Sequence, residues 1–139
     1  MKIDPIKNGI VIDHIEAGKG MGVYNFLNLS ELNCTVALIK NVPSKKTGKK
    51  DIIKIDASIS LDLDVLGYVA PEATVNYIEN GKLIEKCKVA LPETVRNVIK
   101  CKNPRCITSV EQGIDQVFKL ADKENRVYRC IYCESKAND

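Results

Sequence analysis

Thr74-Val75-Asn76-Tyr77-Ile78-Glu79-Asn80-Gly81-Lys82-Leu83-Ile84-Glu85-Lys86-Cys87 carries the strongest short-range folding signal in the chain. Two β-prone runs flank Asn-Gly, the pair best suited to the positive φ angles of a tight hairpin turn. Working back from it, Ser60-Leu61-Asp62-Leu63-Asp64 reads as a helix start, with Ser60 as N-cap and acids in the first turn. That helix ends near Ala70-Pro71. Ile52, Ile53 and Ile55 mark a strand, and Cys34 to Ile39 another; Asn41 through Lys50 between them is polar and lysine-rich and reads as an exposed hairpin loop. Further upstream, Met21, Tyr24 and Leu27 follow Gly18-Lys19-Gly20-Met21-Gly22 at helical spacing. Ile10 to Ile15 is a short β-branched run. The resulting order is β-α-β-β-α-β with one extra strand. It predicts an α+β fold, a ferredoxin-like αβ sandwich with two helices on one face of an antiparallel sheet.

The chain has 139 residues and a mass of 15.4 kDa, room for one domain or two small ones. Its 45% hydrophobic and 28% charged residues are an ordinary globular balance. The opening MKIDPIKNGIVIDHI lacks the apolar core of a signal peptide, and no run approaches the ~18 apolar residues that span a bilayer. The protein is therefore expected to be soluble and cytoplasmic, without membrane contact. Residues 1–95 carry 12 basic and 12 acidic side chains, and residues 96–139 carry 9 and 6. Four thiolates on a divalent cation would reduce that surplus to about +1, a poor electrostatic footprint for nucleic acid.

Composition changes after Leu91-Pro92-Glu93, so the domains are expected at 1–92 and 93–139, the second a small all-β module. Cys101-Lys102-Asn103-Pro104-Arg105-Cys106 and Cys130-Ile131-Tyr132-Cys133 form C-x4-C and C-x2-C pairs. Two such turns, brought together by strands at Gln116 to Leu120 and Arg126 to Arg129, would make a tetrahedral thiolate cage. Residues 96–139 hold one Phe and two Tyr, too little for an independent core, so bound metal would supply folding free energy. The spacing points to structural zinc, Cys101, Cys106, Cys130 and Cys133 being its ligands, ahead of an iron or redox centre or disulfides. Four thiolates leave no open position for catalysis. Cys34 and Cys87 read as small buried thiols.

No catalytic set is evident. The glycine run is G-x-G-x-G, not the dinucleotide fingerprint, and Gly48-Lys49-Lys50 lacks the rest of a phosphate-binding loop. His14, the one histidine, reads as structural or ligand-contacting, and strict alternation would place it on the face opposite Asp13.

Val11-Ile12-Asp13-His14-Ile15, Gly48 to Ile55, Ala70-Pro71-Glu72-Ala73-Thr74-Val75-Asn76, Leu91-Pro92-Glu93 and the cysteine cage occur in this order. Together they resemble the regulatory chains of aspartate carbamoyltransferase along essentially the whole length. The resemblance implies a non-catalytic subunit in pyrimidine biosynthesis. It would have a nucleotide-effector domain and a zinc domain holding one structural zinc ion, which docks on the catalytic chain. Family members bind CTP and ATP as opposing effectors, often with UTP assisting CTP, and pair as dimers that bridge catalytic trimers. Carried over by position, the effector pocket comprises Ile3, Asp4, Pro5, Ile6, Val11, Asp13, His14, Lys54, Asn76, Ile78, Leu83 and Lys86. Lys54 and Lys86 would face phosphate or ribose oxygens as point charges, and Asp13 a ribose hydroxyl. Backbone groups near Pro5 and Ile6 would read the base edge, with Ile3, Val11 and Leu83 sandwiching the base. Without the resemblance the two lysines read as solvated strand residues.

The rival reading is a nucleic-acid-binding zinc ribbon, with Lys100, Lys102, Arg105, Arg126 and Arg129 around the cage and Tyr128 and Tyr132 interleaved.

Overall fold

Alternating Ile and Val residues along the first unit bury one side of a five-stranded antiparallel sheet, and two short helices cover that side. The computed structural model describes residues 7–45 and 48–137. The chain divides into two units on either side of Ala90 and Leu91. In the first lie β1 (Gly9–Glu16), α1 (Gly20–Phe26), β2 (Val36–Ser44), β3 (Gly48–Ile55), α2 (Leu63–Val69), β4 (Thr74–Glu79) and β5 (Lys82–Lys88). The sheet order is β2-β3-β1-β4-β5, the expected ferredoxin-like sandwich with β5 added beside β4.

The core follows from strand alternation. Ile10, Ile12, Ile53, Ile55 and Val75 point to one face and bury against Val23 of α1 and Leu66 of α2. Val11, Lys54 and Asn76 consequently point to the other face. The register pairs Val11 with Lys54 and with Asn76, and Asn76 with Lys86.

Three local expectations are corrected. The N-cap of α2 is Asp62, not Ser60: its carboxylate accepts the amides of Asp64 and Val65 at 3.0 and 3.2 Å. Most of the expected 41–50 loop is strand, β2 running to Ser44 and β3 starting at Gly48. Pro43 is tolerated because β2 lies at the sheet edge, and a register shift between Ile39 and Val42 absorbs Asn41 at φ 58°. Cys34 lies ahead of β2, not within a strand, and packs half-buried against the core, as Cys87 does from β5.

The second unit holds β6 (Thr94–Arg96), α3 (Ile107–Val110), β7 (Val117–Asp122) and β8 (Val127–Cys130), with sheet order β6-β7-β8. Its buried apolar side chains besides cysteines are Val95, Val117, Phe118 and Tyr128. That small set bears out the shortage of apolar material read from composition. No described helix is long and apolar enough to cross a membrane.

Candidate functional site

The outer face of the first sheet collects the expected effector residues. Lys54, Val11, Asn76 and Lys86 are cross-strand neighbours in one row over β3, β1, β4 and β5. Leu83 pairs with Ile78 one step further along the hairpin. Among the described residues neither Lys54 nor Lys86 pairs with a carboxylate. Asn76 Oδ1 lies between them in the row, buried and without a hydrogen-bond partner. A buried acceptor with no partner among the described residues costs about 1–3 kcal/mol, so this position can take a further donor. Ile3, Asp4, Pro5 and Ile6 lie outside the described residues.

His14 is where alternation misleads. The β1–β3 register shifts between Ile12 and Ile15, so Asp13 and His14 together oppose a single residue of β3. His14 takes φ 58° to allow this, and the bulge turns both side chains toward the outer face. There His14 Nδ1 lies 3.2 Å from Thr74 Oγ1, and the backbone partner of Thr74 is Asp13. Asp13 Oδ1 accepts Lys50 Nζ at 2.9 Å. Burial pushes the Asp13 carboxyl up, but the Lys50 ammonium and the His14 amide outweigh it and hold the carboxyl below its ordinary value. Lys50 and Thr74 thus join this cluster on the outer face, and the sequence alone did not single them out. Period-2 spacing from Lys54 and Asn76 was the available signal, since it places both on the same face.

A separate cleft of about 410 Å³ opens among Asn8, Ile10, Ser58, Ile59, Tyr77 and Ile84. Ile10 and Tyr77 belong to the helix-covered side of the sheet, and among the described residues Ile78 is the only expected effector residue lining it.

The glycine run after β1 is not a phosphate cradle, for a visible reason. The amides of Gly18 and Gly20 both donate to Asp51 Oδ2, at 3.1 and 2.9 Å, and the Asn41 amide donates to Oδ1 at 3.0 Å. A fully buried carboxylate from β3 already uses those donors. Gly20 is required by this packing: a Cβ there would fall 2.8 Å from Asp51 Oδ2 and 2.7 Å from Leu38 Cδ1.

In the second unit the sulfurs of Cys101, Cys106, Cys130 and Cys133 all lie within 4.8 Å of one another. The Cys101–Cys133 and Cys106–Cys130 separations are 3.6 and 3.7 Å. A tetrahedron with metal–sulfur bonds of about 2.3 Å has edges of about 3.8 Å, so the four sulfurs fit one ion. The supports are local. The Cys101 amide donates to Gln116 Oε1 at 3.0 Å, Thr108 Oγ1 donates to Cys106 Sγ at 3.1 Å, and the Cys130 amide donates to the Ser135 carbonyl at 3.0 Å. Burial pushes the Cys101 thiol up to about 12, whereas Ser135 hydrogen bonds hold Cys133 down to about 6. Four adjacent thiols become four thiolates only against a cation. Ile107, Ile131 and Tyr132, next to the cysteines in sequence, are exposed, as is Val110 at the end of α3.

The same region weakens the nucleic-acid reading. Tyr128 is buried and donates its hydroxyl to the Pro92 carbonyl at 2.5 Å, so it offers no face for base stacking.

Comparison with known proteins finds a family model for each half of the chain. Residues 1–90 match the family model of the aspartate carbamoyltransferase regulatory chain, allosteric domain, and residues 93–139 match its metal binding domain. The chain is 54% identical over 134 residues to the regulatory chain of Clostridium botulinum, covering 96% of this chain and 92% of that one. It is 53% identical over 134 residues to that of Clostridium acetobutylicum, with the same coverage. It is 47% identical over 137 residues to that of Bifidobacterium longum, covering 99% of each. With an allosteric and a metal-binding half both matched, and relatives named as regulatory subunits, the chain belongs to the aspartate carbamoyltransferase regulatory chain family and is a non-catalytic subunit of pyrimidine biosynthesis.

Proposed function

We propose that residues 1–92 bind the nucleotide effectors CTP and ATP, with UTP as an assisting ligand, on the outer face of the first sheet. The observation that carries this reading is the cross-strand row in which, among the described residues, Asn76 Oδ1 has no partner and lies between two lysines that pair with no carboxylate. Lys54 and Lys86 supply charge to phosphate or ribose oxygens, and Asn76 accepts from a ribose hydroxyl or base amino group. Val11, Ile78 and Leu83 form the apolar wall, and the bulge brings Asp13 and His14 to the same face. By the family likeness, Ile3, Asp4, Pro5 and Ile6, which lie outside the described residues, also belong to the pocket.

Residues 93–139 hold one zinc ion through Cys101, Cys106, Cys130 and Cys133 and dock on the catalytic chain. The ion is structural. Its four thiolates fix the two cysteine turns, and the exposed Ile107, Val110, Ile131 and Tyr132 give the docking surface its apolar content. Regulatory chains pair as dimers that link catalytic trimers, and effector binding shifts the trimers between two states with a coupling of about 1–3 kcal/mol. Titration calorimetry of CTP and ATP into the purified chain tests the effector role. Saturable binding of both supports it, and no heat at millimolar nucleotide overturns it.

A further inference from the structure

The Asn80-Gly81 turn does more than close a hairpin. Both residues have positive φ, 53° and 75°, and β4 and β5 pair up to Glu79 and Lys82 on either side. The two turn amides lie beyond the ladder and need other acceptors. The segment ahead of β1 supplies them. Gly81 donates to the Lys7 carbonyl at 2.8 Å, and Asn80 donates to Asn8 Oδ1 at 3.0 Å. β1 then starts at Gly9, opposite Ile78.

We infer that Asn8 is a positioning residue of the effector site, its side-chain oxygen clasping the β4–β5 turn to the segment that enters β1. The inference rests on the effector reading proposed above. That reading draws pocket residues from both sides of the clasp: Ile78 and Leu83 from the hairpin, and Val11 and Asp13 from β1. Asn8 contributes through registration of these two parts and has no contact with the nucleotide. The Lys7 carbonyl is backbone and survives any substitution, so the Asn8 side chain is the variable half of the clasp.

The test compares the full-length chain with Asn8→Ala and Asn8→Asp, the latter keeping an acceptor at the same reach. CTP affinity is measured by calorimetry, and exchange of the Asn80 amide by NMR. Asn8→Ala is expected to weaken CTP binding by about threefold to tenfold, the range set by one neutral hydrogen bond, and to speed exchange at Asn80. Asn8→Asp is expected to restore both. If Asn8→Ala binds CTP as tightly as the parent chain, or Asn8→Asp is as weak as Asn8→Ala, the positioning role is refuted while the effector reading stands. A parent chain that binds no CTP removes the effector reading, and this inference falls with it.

Discussion

Lys54→Gln is the most informative single change, because it removes a charge while keeping most of the side chain's length and polarity. Lys54 and Lys86 stand at the ends of a row three strand steps long. At a strand spacing of about 4.8 Å that is roughly 14 Å between their backbones. A lysine reaches roughly 6 Å from its Cα by standard bond lengths, so both ammonium groups can close on one ligand lying over Val11 and Asn76. A charge-assisted hydrogen bond contributes about 1.5–3 kcal/mol net, which corresponds to a loss of roughly 10- to 150-fold in affinity when it is removed. CTP and ATP share their triphosphate and ribose, so both should weaken by a similar factor. The deficit should also shrink as salt rises, because screening diminishes what the missing charge contributed. Calorimetry with both nucleotides at low and high ionic strength, together with a melting curve of the free variant, measures all of this. An unchanged CTP affinity would refute the reasoning. So would a loss for one nucleotide alone, since Lys54 would then be reading the base.

Three other outcomes are expected. Stripping the thiolate-bound ion with a mercurial should release one zinc per chain and unfold residues 93–139, since coupled folding free energy of about 10–16 kcal/mol goes with the metal. A metal assay, amide NMR dispersion and co-purification with the catalytic chain check this, and a tail still ordered without metal would contradict it. Gly20→Ala should lower unfolding free energy by about 1–3 kcal/mol in denaturant titration, because its Cβ meets Asp51 and Leu38. Asp13 has a depressed carboxyl in the folded state. Its stabilisation is therefore fully present above the unfolded value of about 3.9 and is lost as pH falls through the lower folded value. Asp13→Asn should flatten the stability profile in that acid window and leave its shape near neutrality unchanged.

How much of this was legible beforehand depends on which signals are local. The Asn80-Gly81 turn, the Ile and Val periodicity and the paired cysteine spacings are each contained within a few residues, and all of them lead to observed elements. Ser60 does not cap α2, because the backbone turns helical only at Leu63 and the expected first-turn acid Asp62 takes the cap position instead. The 41–50 stretch was composed like a loop, yet its strand pairing is set by a partner strand and an edge position that composition does not encode. Strict alternation puts His14 opposite Asp13 because it assumes an uninterrupted ladder, and the bulge breaks that ladder. The partnership of Asp51 with the glycine run spans more than thirty residues and is invisible to any local motif. The roles proposed for Lys54 and Lys86 were suggested in the sequence only by the family likeness, because a lone strand lysine carries no mark of what it faces.

The two outer strands of the first sheet bear on solubility. Each carries a device that discourages endless edge-to-edge pairing. β2 combines its bulge at Asn41 with Pro43, which cannot donate to a further strand. β5 has a register break opposite Tyr77 and Ile78, and carries Lys82, Lys86 and Lys88 along its short length. The irregularity of these rims guards the chain against stacking edge to edge into fibrils.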